Sequence, residues 1–379
     1  MCVKQFAYGF SLVLGVGVLL SCGGASAAPP PPQAISNILY IVDSGSVATY
    51  SIDPNALAAT PVEQPVVLVP SPATLLQFDP SPDDQFVYAV WSDAQTVQHL
   101  SVFQTDTFGV PQLPAIQVLD ANSLSQFNMH PVGRFAYMLE VTSNKGLYSA
   151  AIRLFNVKPD GKLKENPQVQ GTYGPAVYWP AFIYGFSPNG SMLYDTSPLS
   201  TGSVYRQRAI NQTNGGLGSD NPLITLNGSQ EIVIGQLIAD LHQADSNLNQ
   251  GYLDIFPSVP NPKLAIHCTI AMLSYCATAS NIQLDRTGRY LFLTDPATSA
   301  VHVAAIKLRR NKILDAGSSM PMTSQTPGFA FNQSGSIVYA IQTDGNIHFF
   351  HFDATSGTLT EGGAPLPIAA GSGICPAHR

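Results

Sequence analysis

The stretch His130-Pro131-Val132-Gly133-Arg134-Phe135-Ala136-Tyr137 combines a tight turn with the start of a strand. Proline followed closely by glycine predicts a turn in which the glycine adopts a positive φ angle. The alternating residues after that glycine, two of them aromatic, favour a β-strand. The same combination recurs at residues 78–88, 186–194, 284–292 and 331–339. The chain is therefore built from an internal repeat.

The aromatic residue that closes each repeated strand gives the period of the repeat. These aromatics are Tyr40, Tyr88, Tyr137, Tyr194, Phe292 and Tyr339. Most intervals are about 50 residues, which is the length of a propeller blade, and the interval before Phe292 is about twice as long. A divergent copy is therefore expected at residues 231–280, with strands at 238–242 and 252–255. The total is seven units.

Each unit continues with a third strand and a second turn, such as Pro159-Asp160-Gly161. Third strands are predicted at residues 97–103, 152–157, 301–308 and 347–352. Four strands per unit without helical periodicity predict an all-β fold, a seven-bladed β-propeller with four-stranded antiparallel blades. The first unit begins at its second strand. We therefore expect the C-terminal tail, residues 372–378, to supply the missing innermost strand and close the ring.

The N-terminus has the features of an export signal. Lys4 precedes an apolar run over residues 6–20, which is too short for a membrane-spanning helix. The junction Leu19-Leu20-Ser21-Cys22-Gly23 resembles a bacterial lipobox. It predicts a signal peptide at 1–21, lipidation of Cys22, a Pro-rich tether at 22–35 and the propeller at 36–379. Cleavage after Ala25-Ser26-Ala27 and an uncleaved anchor are alternatives, and each places the globular part outside the cytoplasm.

Composition limits the possible partners. Only 11% of the residues are charged, against roughly 25% in ordinary soluble domains. With 17 basic and 24 acidic residues the net charge is −7, so no nucleic-acid partner is expected. A protein attached through Cys22 would contact the membrane of the bacterial cell envelope only through its lipid.

The cysteines outside the predicted signal peptide are Cys22, Cys268, Cys276 and Cys375. An exported protein can form disulfides, and a bond between Cys268 and Cys276 would close a short loop. Two free buried thiols are the alternative. Cys375 would be left without a partner. The spacing does not match a zinc site, and neither a metal nor a cofactor is expected.

The unit Phe-x-Pro-x-Gly-x-x-x-Tyr resembles the blades of lactonase-like seven-bladed propellers, the family that includes the bacterial 6-phosphogluconolactonase type. The closest stretches are residues 130–137 and 352–360. The resemblance implies an Arg-His pair on an innermost strand, facing the central channel, but the matching positions hold Ser125 and Gln126. A glutamate that the family pattern expects occurs as Glu140, without its usual Asn-Glu context. The resemblance therefore implies the architecture, and the expected catalytic pair is missing from its expected place.

Other candidate site residues follow from spacing. Asp240 and His242 stand two apart in a predicted strand and share a face, as a carboxylate-oriented base requires. With Glu140 they are the candidate catalytic residues, and ordinary polar contacts are the alternative. Tyr178, Trp179 and Tyr184 are candidate ligand-binding aromatics at the channel mouth, with packing between blades as the alternative. His130 is interpreted as a structural turn residue.

These observations predict an exported, lipid-anchored propeller that serves as a binding or scaffold module. Its partner at the channel mouth would be a small molecule or a protein. The alternative is a lactonase-type hydrolase that acts on a sugar lactone.

Overall fold

The structure is a computed structural model. It describes residues 37–121, 124–144, 147–176, 182–187, 189–199, 202–226, 231–234, 237–242, 252–257, 266–268, 273–276, 278–279, 281–307, 310, 312–322, 329–370 and 372–376. The predicted signal peptide, Cys22 and the tether lie outside these residues.

The strands of the described chain form seven antiparallel sheets, six of four strands and one of five. Blade 1 contains β1 (Ile38–Asp43), β2 (Ser46–Asp53), β3 (Ala58–Pro61), β4 (Val66–Val67) and β29 (Gly373–Pro376). Blade 2 contains β5 (Thr74–Pro80), β6 (Phe86–Ser92), β7 (Gln98–Gln104) and β8 (Gln117–Asp120). Blade 3 contains β9 (Leu124–Met129), β10 (Phe135–Asn144), β11 (Leu147–Val157) and β12 (Leu163–Ala176).

Blade 4 contains β13 (Phe182–Phe186), β14 (Met192–Leu199), β15 (Gly202–Ile210) and β16 (Leu217–Leu226). Blade 5 contains β17 (Glu231–Ile234), β18 (Leu237–His242), β19 (Tyr252–Pro257) and β20 (Ile266–Cys268), followed by a 3-10 turn at Ser274–Cys276. Blade 6 contains β21 (Asn281–Leu284), β22 (Tyr290–Asp295), β23 (Ala300–Lys307) and β24 (Lys312–Pro321). Blade 7 contains β25 (Phe329–Phe331), β26 (Ile337–Ile341), β27 (Asn346–Asp353) and β28 (Thr358–Pro367).

The four-strand repeat predicted from the sequence is confirmed in blades 2, 3, 4, 6 and 7, where the strands pair in chain order. The divergent copy expected at residues 231–280 forms blade 5. The first strand of blade 1 comes from the C-terminus, because β29 pairs with β1 and places Cys375 opposite Tyr40. This is the closure predicted for residues 372–378. The chain is therefore an all-β propeller with antiparallel blades.

The first strands lie at the centre of the molecule. Neighbouring first strands contact each other at β9 and β13, β13 and β17, β17 and β21, and β25 and β29. Such strands surround the channel of a propeller, and the edge of each that has no partner strand faces that channel.

The hydrophobic core lies between blades. Each of six clusters combines residues of two neighbouring blades, as where Tyr88 and Phe127 of blades 2 and 3 stack with ring centroids 5.3 Å apart. Second strands have blades packed on both faces, so all six residues of β22 are buried. Their sequences therefore consist of nearly continuous apolar runs, as expected for strands buried on both sides.

Candidate functional site

The two ends of each blade differ in their connections. Because neighbouring strands run antiparallel, the first-to-second and third-to-fourth turns lie at one end, which we call the turn end. The second-to-third turns and the links between blades lie at the other, which we call the link end. Each end has its own set of polar contacts.

At the turn end, one contact recurs between neighbouring blades. Buried tyrosine hydroxyls of the second strand donate to a carbonyl in the third-to-fourth turn of the next blade: Tyr40 to Gly109 at 2.8 Å, Tyr88 to Gly161 at 3.0 Å and Tyr137 to Gly215 at 2.7 Å. Gly215 has a φ of +73°, and a Cβ there would lie 2.7 Å from the Phe135 ring. The glycine therefore allows both the turn and the close approach of the next blade.

His130 belongs to this structural system. Its side chain is fully buried, and Nε2 donates to the Gly190 carbonyl of the next blade at 2.8 Å. Nδ1 accepts the Val132 N–H at 3.3 Å. Burial lowers the pKa of His130. The contacts agree with its interpretation as a turn residue.

At the link end, the first strands of three consecutive blades are irregular. One extra residue interrupts the pairing with the second strand in each: Leu76 in β5, Ser125 in β9 and Tyr184 in β13. The described first strands β17, β21, β25 and β29 pair without such a shift. Bulges occur often beside functional sites, where they redirect side chains. We call β5, β9 and β13 the bulged rim.

Gln77, directly after the first bulge, joins two blades of the rim. Its Nε2 donates to the Phe127 carbonyl at 2.5 Å, and its Oε1 accepts the Phe127 N–H at 3.1 Å. Because β9 is the innermost edge strand of its sheet, these two backbone groups lie on the edge that faces the channel. The Gln77 amide therefore lies beside the channel, between blades 2 and 3.

The same amide holds Asp79. Gln77 Nε2 also donates to Asp79 Oδ2, and the Asp79 residue is only 8% exposed. Burial raises the pKa of the Asp79 carboxyl to about 7, and the hydrogen bond from Gln77 opposes this change. A carboxyl with a pKa near neutrality can exchange a proton at physiological pH, as general acids and bases must.

Asn128 lies one blade further along at the matching register. Asp79 pairs with Tyr88, and Asn128 pairs with Tyr137. Asn128 is 3% exposed, and among the described residues neither Nδ2 nor Oδ1 has a hydrogen-bond partner. Burying an amide without partners is costly, so this side chain marks a polar position within the rim.

A buried ion pair lies in blade 4 next to the third bulge. Arg208 Nε donates to Asp195 Oδ2 at 2.7 Å, and both side chains are almost fully buried. Asp195 pairs with Ile183, the residue before the extra Tyr184. The pair brings a cation into this region of the molecule, where the sequence pattern indicated none.

The Glu140 carboxylate is engaged in an ion pair. Arg153 on the neighbouring strand donates to it at 2.5 Å and also binds Glu165 through two nitrogens. Arg153 further lies over the Phe155 ring, 5.2 Å from its centroid. This carboxylate is therefore occupied by a contact within its own sheet. The contacts therefore favour a structural ion pair at Glu140.

The other candidate residues predicted from the sequence are Asp240, His242, Tyr178, Trp179 and Tyr184. Asp240 and His242 are on β18, opposite Asp254 and Tyr252 of β19. Tyr184 is the extra residue of β13. Tyr178 and Trp179 lie outside the described residues. The structure thus places Asp240 and His242 in blade 5 and Glu140 in blade 3, on separate sheets.

The structure bears on three of the cysteines. A disulfide joins Cys268 to Cys276, with Cα atoms 6.0 Å apart, and connects β20 to the 3-10 turn. Cys375 is buried on β29, in the core cluster between blades 1 and 2.

Sequence reasoning missed Asp79, Gln77, Asn128 and the Asp195–Arg208 pair. One signal was available for Asp79. The repeat places Asp79, Asn128, Gly185, Gln283 and Ala330 at one position of the first strand. Asp79 is an acid, whereas the other four residues at this position of the repeat are uncharged.

The described residues show neither a metal-binding cluster nor a membrane-spanning helix. No group of three or more histidine, cysteine, aspartate or glutamate side chains in that part of the chain is arranged to hold a metal ion. No helix there is long and apolar enough to cross a membrane.

The chain is similar in fold to propellers of known structure, some of which are named as lactonases. No curated protein matches the sequence. A protein of Bacteroides uniformis ATCC 8492, provisionally named a 6-phosphogluconolactonase, superimposes with a TM-score of 0.61, 14% identity, and coverage of 90% of this chain and 100% of that one. A periplasmic gluconolactonase of Pseudomonas aeruginosa superimposes with a TM-score of 0.59 and 14% identity, and the match covers 90% of this chain and 99% of that one.

Hydrazine synthase of Kuenenia stuttgartiensis also superimposes, with a TM-score of 0.53, 14% identity and coverage of 87% of this chain and 99% of that one. Likeness at this level of identity therefore shows the propeller fold alone. The sequence comparison gives a more specific result for part of the chain. Residues 262–375 match the family model described as lactonase, 7-bladed β-propeller.

Proposed function

We propose that the seven sheets are the blades of one seven-bladed ring, and that its bulged rim hydrolyses a sugar lactone with Asp79 as general base. The observation that carries this proposal is the geometry of Asp79. Its carboxyl is buried on a channel-lining strand and is held by Gln77, which is itself fixed to the open edge of the next blade. A base held this way is preoriented for one proton transfer.

The reaction follows from these groups. Asp79 takes a proton from water while the water oxygen forms a bond to the lactone carbonyl carbon. The resulting oxyanion then expels the ring oxygen, the carbon–oxygen bond of the ring breaks, and the proton on Asp79 passes to that leaving oxygen. The product is an open-chain hydroxy acid, and the enzyme returns to its starting state.

Two comparisons support this class of chemistry. The C-terminal third of the chain matches the lactonase family model, and a structural neighbour is a periplasmic gluconolactonase. The buried position of Asp79 supports it independently, because burial raises the pKa of the carboxyl to about 7. A general base is most effective when its pKa lies near the working pH.

A binding or scaffold module is the second candidate. The bond between Glu140 and Arg153 favours it, because this bond engages the glutamate that the family resemblance matched. Such a module would bind a small molecule or a protein at the channel mouth without turnover.

The proposal includes export to the bacterial cell envelope and lipid attachment at Cys22. The support is the apolar run at residues 6–20 and the Leu-Ser-Cys-Gly junction. The periplasmic neighbour points to the same compartment. Incorporation of labelled palmitate by the wild type and its loss in Cys22→Ala would test the attachment.

The enzymatic proposal is tested with D-glucono-1,5-lactone. We expect the purified protein to hydrolyse it faster than the spontaneous reaction, and Asp79→Asn to lower kcat by roughly 10² to 10⁴-fold, the usual contribution of a general base. Because the base must be ionised, the enzymatic rate should rise with pH through about pH 7. The melting curve checks that Asp79→Asn remains folded.

Glu140→Gln serves as the matched comparison, since it also neutralises one carboxylate. Loss of turnover in Glu140→Gln with full activity in Asp79→Asn would show that Glu140, and not Asp79, is the general base. No turnover by the wild type, with saturable binding of a sugar acid, would support the binding module instead.

A further inference from the structure

The Asn128 side chain is the clearest unexplained polar group in the rim. Both its polar atoms are buried, and among the described residues neither has a partner. A folded protein normally pairs such groups, because each unsatisfied one costs about 1–3 kcal/mol. Asn128 therefore has capacity for at least one donated and one accepted hydrogen bond.

The fold does not require an amide at this position. The corresponding residue of blade 7 is Ala330, which pairs with Tyr339 as Asn128 pairs with Tyr137. Ala330 is buried as well, at 8% exposure. Since an apolar residue fits this register position, packing alone does not explain a buried asparagine.

The surroundings of Asn128 connect it to the proposed site. Its neighbour in the chain, Phe127, accepts from and donates to Gln77, which also donates to Asp79. The strand that carries Asn128 contains the Ser125 bulge three residues earlier. The asparagine and the proposed base therefore belong to two first strands that one side chain holds together.

We propose that the Asn128 carboxamide is a ligand-binding group of the bulged rim. Nδ2 donates to the carbonyl oxygen of a sugar lactone, and Oδ1 accepts from a sugar hydroxyl. This assignment rests on the proposed function for its substrate class. A neutral amide suits an uncharged polyhydroxy ligand, because it offers one donor and one acceptor group in a fixed plane.

The assignment has a consequence for stability. Leucine has nearly the shape of asparagine and carries no polar atoms. If the amide is kept for a ligand, Asn128→Leu should raise the melting temperature of the ligand-free protein, since it removes an unsatisfied group. The same substitution should weaken binding. Such opposite effects are typical of binding groups kept at a cost to stability.

Binding is measured by calorimetry with D-gluconate, a sugar acid that undergoes no hydrolysis. Asn128→Leu should weaken binding by roughly ten-fold or more, as expected when a buried hydrogen-bonded group is lost. Gln283→Leu is the matched control. Gln283 occupies the same register position in blade 6, also has a buried Oε1 without a partner in the described chain, and lies on a strand without a bulge. We expect Gln283→Leu to bind like the wild type.

Equal affinity of the wild type and Asn128→Leu, or no binding of gluconate by the wild type, would overturn the assignment. Equal loss in Asn128→Leu and Gln283→Leu would overturn it too, because the effect would then not be specific to the rim. Binding is independent of turnover. A protein that binds gluconate through Asn128 and fails to hydrolyse the lactone would refute the enzyme and retain the binding site.

Discussion

The tyrosine contacts at the turn end and the first strands of the bulged rim are built from the same repeats, yet they differ in regularity. At the turn end, Tyr40, Tyr88 and Tyr137 repeat one hydrogen bond to the next blade. In blade 6 the matching aromatic is Phe292, and Tyr290, two residues earlier, donates to Thr355 of blade 7 instead, at 2.9 Å. The contact is thus preserved even where the residue that makes it has changed.

In the bulged rim, the first strands of blades 2, 3 and 4 each contain a bulge. Further along these strands, Asp79 and Asn128 occupy one register position opposite Tyr88 and Tyr137, yet one is an acid and the other an amide. The tyrosine contacts are thus repeated between blades, whereas the polar groups of the first strands differ from blade to blade.

One junction departs from the pattern at the turn end. Tyr339 of blade 7 is fully buried, but its hydroxyl has no hydrogen-bond partner in the described chain. The facing turn of blade 1 has Leu57, with a φ of 52°, where blades 2, 3, 4 and 7 have glycine. This is the junction at which the ring closes, and there β29 pairs with β1. Strand pairing therefore joins the two ends of the chain where the tyrosine contact is lacking.

The largest expected effect comes from removing that closing strand. Deleting residues 370–379 should lower the melting temperature by about 10 °C, because four paired residues of β1 lose their partners at roughly 1 kcal/mol each. Deleting only residues 377–379 leaves β29 intact and is the control. An unchanged melting curve for the longer deletion would show that the ring does not depend on β29.

The tyrosine contacts should give an intermediate effect. Tyr137→Phe removes a buried hydrogen bond and leaves the Gly215 carbonyl unpaired, so the free energy of unfolding in urea should fall by about 1–2 kcal/mol. Tyr339→Phe removes a hydroxyl that has no such bond within the described chain, and its effect should be within about 0.5 kcal/mol or stabilising. Neither variant should change lactone turnover. A similar loss in both variants would contradict the comparison between the two junctions.

The smallest expected effect is a pH dependence at the link end of blade 7. His348 lies between Glu361 at 2.6 Å and Asp344 at 3.0 Å. Burial lowers its pKa, but the bonds to these carboxylates raise it overall above the usual value of 6.5. The folded state thus binds the proton more tightly than the unfolded chain does. The resulting stabilisation is complete below about pH 6.5 and is lost as the pH rises through the raised pKa.

For solvent-accessible pairs of this kind the contribution should be under about 1 kcal/mol. Urea unfolding at pH 5.5 and pH 8 measures it. The wild type should lose slightly more stability between these values than His348→Gln, which cannot be protonated. Identical pH profiles for the two proteins would show that the pair does not contribute.

Much of the fold could be predicted from the residues alone. The aromatic near the start of the second strand, from Tyr40 to Tyr339, marked six of the blades, and the long interval before Phe292 located blade 5. The closing strand was expected at residues 372–378 and is found at Gly373–Pro376. These predictions succeeded because turn and strand preferences act between residues close in sequence.

The candidate site could not be predicted in this way. Asp79 stands in the repeated segment before a turn, where an acid is ordinary, and its environment depends on Gln77 and on blade 3. Gln77 bonds with Phe127, 50 residues away. The position of each bulge depends on which residues of the neighbouring strand pair with the first strand. No local pattern encodes such pairings.

The sequence by itself determined the number and order of the strands, because repeated turn and strand preferences act within each unit of about 50 residues. Only the tertiary structure decided which polar residues are buried beside the channel. The raised pKa of Asp79 and the burial of both polar atoms of the Asn128 amide arise from packing between blades. The packing of the closed ring creates those contacts, since it brings residues from separate repeats together and excludes water from between them.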